Sequence, residues 1–225
     1  MKKLFILGTI LCSIGSLFSN EIKTGHDYAQ FALTRVRFLK NGWMVLQQNN
    51  KMYAHGSWNL VTPAGYYSFA KVKDSLKNPS NGVWEYTGTF PADKEKNTIL
   101  FRQSAEINPF GLLDVNFSWK SKNPKGNKAS FYNLVIAMKD IADKDLLIGK
   151  ERFKIQNIQK YGVFNKVLDN VELTFFAWDE KRCFKILCSG KVQIVGICTK
   201  DKNFAMRIYP AEKNTNNIAF SFTIR

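Results

Sequence analysis

Histidine is nearly absent from this 225-residue sequence: His26 and His55 are the only two. A histidine-rich metal centre is therefore excluded within the chain. Cysteine is also sparse, with Cys12, Cys183, Cys188 and Cys198. No CxxC pair accompanies them, so a zinc site is not expected and no cofactor is indicated. Beyond the first twenty residues no apolar run is long enough to span a membrane. No linker, repeat or low-complexity stretch divides the chain, which excludes a string of small modules. Acidic residues are outnumbered, 18 against 33 basic ones. No catalytic motif is matched anywhere in the chain.

The N-terminus carries a clear pattern. Lys2 and Lys3 form a basic start, and Leu4 to Leu11 an apolar run. Small residues continue it to Gly15, and Leu17 and Ser19 fit a peptidase site. This predicts a signal peptide over residues 1–20, cleaved near Ser19 or Asn20. The rival is a retained anchor, but Leu4 to Phe18 falls short of the roughly 20 residues that a spanning helix needs. Leu11 stands where a lipidated cysteine would follow a small residue, so Cys12 is not read as a lipid site. The mature part, residues 21–225, is expected to be one exported domain, periplasmic or extracellular, with no further membrane segment.

The formal charge is +15, of which Lys2 and Lys3 supply two. Such a balance suits an anionic partner, but it equally suits a solvated basic surface, because lysine is scattered throughout. Export argues against nucleic acid. Removing Cys12 with the signal leaves three cysteines, so at least one thiol is unpaired. The segment from Lys181 to Cys198 reads as a hairpin turning at Ser189-Gly190, which brings Cys183 diagonally towards Cys198. That separation sits at the edge of disulfide geometry, and three buried free thiols are the preferred expectation.

Period-two alternation dominates what remains. Trp84, Tyr86 and Phe90 share one face, and Leu113, Val115, Phe117 and Trp119 another. Tyr132, Leu134, Ile136 and Met138 repeat the rule, as do Val171, Leu173 and Phe175, and then Ile218, Phe220, Phe222 and Ile224. This is the signature of half-buried antiparallel strands. Turn signals fall at Asn41-Gly42, Pro63-Ala64-Gly65, Asn78 to Gly82, Asn108 to Gly111, Asn123 to Gly126 and Ser189-Gly190. The expectation is an all-β protein, a large antiparallel sandwich of about a dozen strands. Helix is expected only over Tyr28 to Leu33 or Ala137 to Lys144.

Chemistry has few places to reside. His55 could act as a base, yet nothing nucleophilic accompanies it, and a structural histidine explains it better. The best carboxylate pair is Glu106 and Asp114, flanking the Asn108-Pro109-Phe110-Gly111 turn. A three- or five-residue loop puts both on the polar face near that turn. Glycosidases need two carboxyls roughly 5 to 10 Å apart. Charged outer positions on a soluble hairpin give the same pattern, so no catalytic residue is assigned. Four aromatics lie beside turns: Trp43, Trp58, Tyr66 and Tyr67. Exposed aromatics stack on sugar rings, which makes these four the candidate ligand-binding platform.

The run Gly82-Val83-Trp84-Glu85-Tyr86-Thr87-Gly88-Thr89-Phe90, followed by the strand Leu113 to Trp119, resembles a known architecture. So do closing strands at Phe184 to Leu187, Val192 to Val195, Phe204 to Ile208 and Ile218 to Ile224. The resemblance is to the galactose-mutarotase-like "supersandwich" domains found beside catalytic domains in secreted bacterial polysaccharide-degrading proteins. It implies a carbohydrate partner and carries over no catalytic residue. Three functions follow as expectations. The first is a non-catalytic module that binds carbohydrate, an anionic polysaccharide above all. The second is a glycoside hydrolase or lyase, or a part of one. The third is a structural or adhesive envelope protein.

Overall fold

A computed structural model describes residues 22–68, 76–91, 98–121, 129–156, 162–210 and 217–224. The signal segment 1–20 and the turn at 123–126 lie outside the described residues. Among the described residues there are seventeen strands and one helical turn. The strands are β1 (Lys23–Gly25), β2 (Tyr28–Phe31), β3 (Thr34–Phe38), β4 (Met44–Gln48), β5 (Lys51–Thr62) and β6 (Gly65–Ser68). There follow β7 (Leu76–Ser80), β8 (Val83–Pro91), β9 (Thr98–Ile107), β10 (Leu113–Ser121) and β11 (Ala129–Ala137). The helical turn α1 (Met138–Ile141) leads to β12 (Asp145–Ile148), β13 (Glu151–Lys154), β14 (Phe164–Phe175), β15 (Phe184–Cys198), β16 (Asn203–Pro210) and β17 (Asn217–Ile224).

Every pairing is antiparallel, and the ladder folds into two layers. In the first layer β1 to β5 form a meander, β11 pairs the other edge of β5, and β16 pairs β11. Residues 192–198 of β15 then pair β16. In the second layer β7, β8, β9 and β10 form a meander. Strand β17 lies between β10 and residues 184–188 of β15, and β14 carries the layer on to β12 and β13. The expected all-β sandwich is therefore what forms, with short edge strands raising the count above a dozen.

The two layers meet through aromatics that the alternation had placed inside. Trp58 of β5 stacks on Phe117 of β10 at 4.5 Å, and Phe38 of β3 on Trp84 of β8 at 4.2 Å. Burying such rings contributes most of the stability of a sheet pair. Polar tips find partners across the gap. The indole N–H of Trp84 donates to the carbonyl of His26 at 3.0 Å, and the Tyr86 hydroxyl donates to that of Leu39 at 2.9 Å. Close approach matters at Gly56, where a Cβ would collide with the Tyr132 hydroxyl and ring.

Three local expectations need correction. Tyr28 to Leu33 is not helical: it forms β2 and a turn, because Ala29 and Phe31 alternate into the core. In the other helical candidate only the single turn Met138–Ile141 forms. The third correction is larger. Ser189-Gly190 is not a hairpin turn, because β15 runs straight through it. Its partner β14 shifts register between Asp169 and Val171 at the same level. Asn170 (φ 48°) and Gly190 (φ 76°) both take left-handed conformations there, and the Asn170 side-chain oxygen accepts from the Gly190 N–H at 2.8 Å. This is a β-bulge corner that turns both strands from one layer into the other. Cys183 precedes the first residue of β15 and Cys198 is its last, so the strand's whole length separates them. Among the described residues the three cysteines form no disulfide, and all are buried.

Candidate ligand-binding face

The side of the first layer that faces away from the core carries an aromatic and polar patch. Alternation along β5 sends Trp58 and Leu60 inward and His55, Ser57 and Asn59 outward. On β11 the same rule turns Tyr132 and Leu134 in, and Phe131, Asn133 and Val135 out. On β16, Ile208 points in while Arg207 and Tyr209 point out. Register then aligns these outer residues in rows. Asn59 lies opposite Phe131, and Tyr209 opposite Gln193. One row further, Asn133 lies opposite both Ser57 and Arg207.

The aromatic end of the patch is closely packed. The Phe131 and Tyr209 rings are 4.8 Å apart, and Tyr66 lies 6.3 Å from Phe131. The Arg207 guanidinium sits over the Phe131 ring at 5.1 Å, within cation–π range. Phe131 is 2 % exposed yet lies outside the principal core, because these three neighbours flank it. The Tyr66 hydroxyl donates to the Asn59 side-chain oxygen at 2.6 Å, and the Asn59 amide donates to the Ser57 carbonyl at 3.0 Å. Burial raises the Tyr66 hydroxyl above its ordinary pKa, with Arg207 pulling it down and Tyr209 pushing it up. At the other end Trp43 stacks on His55 at 4.7 Å and 7°. Burial lowers the His55 pKa.

Two polar atoms between these ends are left over. Arg207 Nε and Asn133 Oδ1 are buried and have no hydrogen-bond partner among the described residues. Nor does any described carboxylate form an ion pair with Arg207. A buried donor and a buried acceptor without partners are costly; the core holds others, at Gln103 and Trp119, and what sets this pair apart is its place on the outer side of the sheet beside the exposed Tyr66.

The four turn aromatics divide. Tyr66 is 48 % exposed and joins the patch. Trp43 is half-buried at its far end, its backbone N–H received by the Asn41 side chain at 3.2 Å. Trp58 must be removed from any surface platform. It is 1 % exposed and packed between Phe117 and Tyr132, because β5 continues straight through the position where a turn flank was expected. Tyr67 turns the other way from Tyr66 and packs against the core beside Phe90, at 5.6 Å.

The carboxylate pair is brought together. A five-residue loop, 108–112, joins β9 to β10 and sets Asp114 directly opposite Glu106. Asn108 organises that loop. Its side-chain oxygen accepts from the N–H groups of Phe110 and Leu112, and its amide donates to Asp114 Oδ2 at 3.0 Å. Side chains so paired have Cβ atoms about 5 Å apart. Two grooves formed by described residues lie elsewhere. One, of about 510 Å³, is lined by His26, Asp27, Arg37 and Lys40 among others. The other, of about 440 Å³, is lined by Lys144, Arg152, Lys154 and Trp178 among others. Among the described residues no group of three or more His, Cys, Asp or Glu is placed to hold a metal ion, and no helix is long and apolar enough to cross a membrane. Burial pushes the Cys188 thiol up to about 12, which removes it as a nucleophile.

Sequence reasoning missed Phe131, Asn133, Arg207 and Tyr209. A signal existed for two of them: Phe131 and Tyr209 are aromatics out of phase with the apolar alternation of their own strands. It also missed Phe110, 87 % exposed at the tip of the 108–112 loop.

No family profile and no curated protein sequence matches the chain. Solved structures do. An alpha-mannosidase from Enterococcus faecalis V583 superposes with a TM-score of 0.52 at 7 % identity, over 91 % of this chain and 30 % of that one. A 4-alpha-glucanotransferase from Thermococcus litoralis gives 0.49 at 9 % identity, over 89 % of this chain and 37 % of that one. The chain thus spans about a third of the length of these enzymes. At such identities the first likeness establishes the fold: a β-sandwich of a kind present in a carbohydrate-active enzyme.

Proposed function

We propose that this protein is exported by cleavage of a signal peptide near Ser19 or Asn20 and binds carbohydrate without transforming it, an anionic polysaccharide above all. The observation that carries this is the outer patch, where the exposed Tyr66 and the half-buried Tyr209 flank the pair Phe131 and Arg207 on the outer side of a sheet. Aromatic faces stack on the C–H faces of sugars, and sheet-borne side chains need little ordering to do so. The sandwich likeness to a mannosidase supports a carbohydrate context, as does the galactose-mutarotase-like rhythm of the sequence. The surplus of lysine on an exported chain supports the preference for anionic polymers.

One observation favours a hydrolase or lyase instead: Glu106 and Asp114 face each other as cross-strand partners, and a glycosidase works with two carboxyls close together. Their setting favours the binding module. Glu106 is exposed on a hairpin, and Asp114 is tied into the loop by Asn108.

Affinity electrophoresis of the purified mature chain through gels containing neutral or anionic polysaccharides tests the reading. Retardation should occur, weaken in part on raising salt to about 0.5 M, and fall in Tyr66→Ala at any salt. Reducing-sugar release should be absent. Activity that disappears in Glu106→Gln or Asp114→Asn would establish the enzyme. No retardation in any gel would leave a structural envelope role.

A further inference from the structure

From the two unpartnered atoms in the patch we infer which group of the sugar is read: a carboxylate, taken by Arg207, with a neighbouring hydroxyl given to Asn133. This deepens the carbohydrate-binding reading and rests on it. Arg207 Nε offers a buried N–H with no acceptor, and Asn133 Oδ1 a buried acceptor with no donor. The two residues are cross-strand partners in adjacent strands. A donor and an acceptor side by side are satisfied together by a ligand presenting an acceptor beside a donor. A uronic acid does this, because its ring bears hydroxyls near the carboxylate. A neutral hexose supplies no charge to match the guanidinium.

The surroundings select in the same direction. Among the described residues no carboxylate forms an ion pair with Arg207. Phe131 lies beneath the guanidinium at 5.1 Å, and a guanidinium backed by a ring still presents the fork that pairs with a planar carboxylate. Tyr66 and Tyr209 flank that ring and offer apolar faces for the same sugar. Lysine at this position would keep the charge and lose both the fork and the Nε donor.

Isothermal titration of the mature chain with oligogalacturonate, with its carboxyl-reduced form and with a sulfated glucan distinguishes the sources of affinity. Oligogalacturonate should bind at least tenfold more tightly than the reduced form, and more tightly than the sulfated glucan. Arg207→Lys should lose about tenfold towards oligogalacturonate alone, and Asn133→Ala several-fold, with melting temperatures recorded to confirm folding. Equal affinity for the native and reduced oligomers would overturn the carboxylate assignment and leave carbohydrate binding intact. That comparison uses the wild type, so it holds even if a variant fails to fold. Full retention by a folded Arg207→Lys would show a charge effect and overturn it too, as would equal binding of the sulfated glucan. Binding of none of the three would remove the underlying reading as well.

Discussion

The two faces of the first layer are built from alternate residues of the same strands, yet they do different work. Tyr132 and Phe131 are neighbours in sequence, as are Ile208 and Arg207. Tyr132 and Ile208 look into the sandwich, where Trp58 stacks on Phe117. Phe131 and Arg207 look out, where a guanidinium lies over a ring flanked by Tyr66 and Tyr209. The inner face spends its aromatics on cohesion. The outer face carries a charge and hydrogen-bonding side chains beside its rings, groups that a ligand can engage.

Substitutions on the two faces should therefore separate stability from binding. The largest effect belongs to the inner face. Trp58→Ala should cost about 3 to 5 kcal/mol by chemical denaturation, since the ring is enclosed on both sides. Gly56→Ala should cost about 1 to 3 kcal/mol through its collision with Tyr132. On the outer face, Tyr66→Ala should cost about 1 kcal/mol or less, the worth of one hydrogen bond to Asn59. It should weaken polysaccharide retardation at the same time. If Trp58→Ala proved mild and Tyr66→Ala unfolding, the division of labour would be reversed.

A smaller effect sharpens the picture of the Trp43 end. The folded pKa of His55 lies below its unfolded value of about 6.5. In the interval between them the unfolded chain binds more protons, so stability rises with pH and is lost as pH falls below 6.5. Thermal melts between pH 7.5 and 5 should show this loss. His55→Phe, which keeps a ring against Trp43, should flatten it. The smallest effect is expected at the hairpin. Glu106→Gln removes one of two like charges placed opposite each other and should stabilise by a few tenths of a kcal/mol, by about the amount such pairs cost.

Much of this architecture was legible in the sequence. Leu113, Val115, Phe117 and Trp119 announced a strand and its buried side, and the five-residue loop after Ile107 was one of two that face parity allowed. The patch was not legible in the same way. Phe131 and Arg207 are brought together only by the pairing of β11 with β16, and alternation tells inside from outside without naming the neighbouring strand. The corner at Gly190 misled for a related reason. A bulge and a hairpin both call for a residue at positive φ, and Ser-Gly serves either. Trp58 was taken as a turn flank because Pro63-Ala64-Gly65 follows it, although β5 extends to Thr62 and keeps the ring inside.

Strand β15 also sets a timetable. A chain made from its N-terminus can close the β2 to β5 and β8 to β10 meanders early, since each joins neighbours in sequence. Neither layer can be completed at that stage. Strand β11 waits for β16, β10 waits for β17, and both late strands dock on β15. Until residues 184–224 have been added, β10 and β11 present open edges, the feature through which partly folded sheets stick to one another. A chain stopped before Phe184 should aggregate rather than survive as half a sandwich, and refolding of the whole should be slow, because its decisive contacts are distant in sequence.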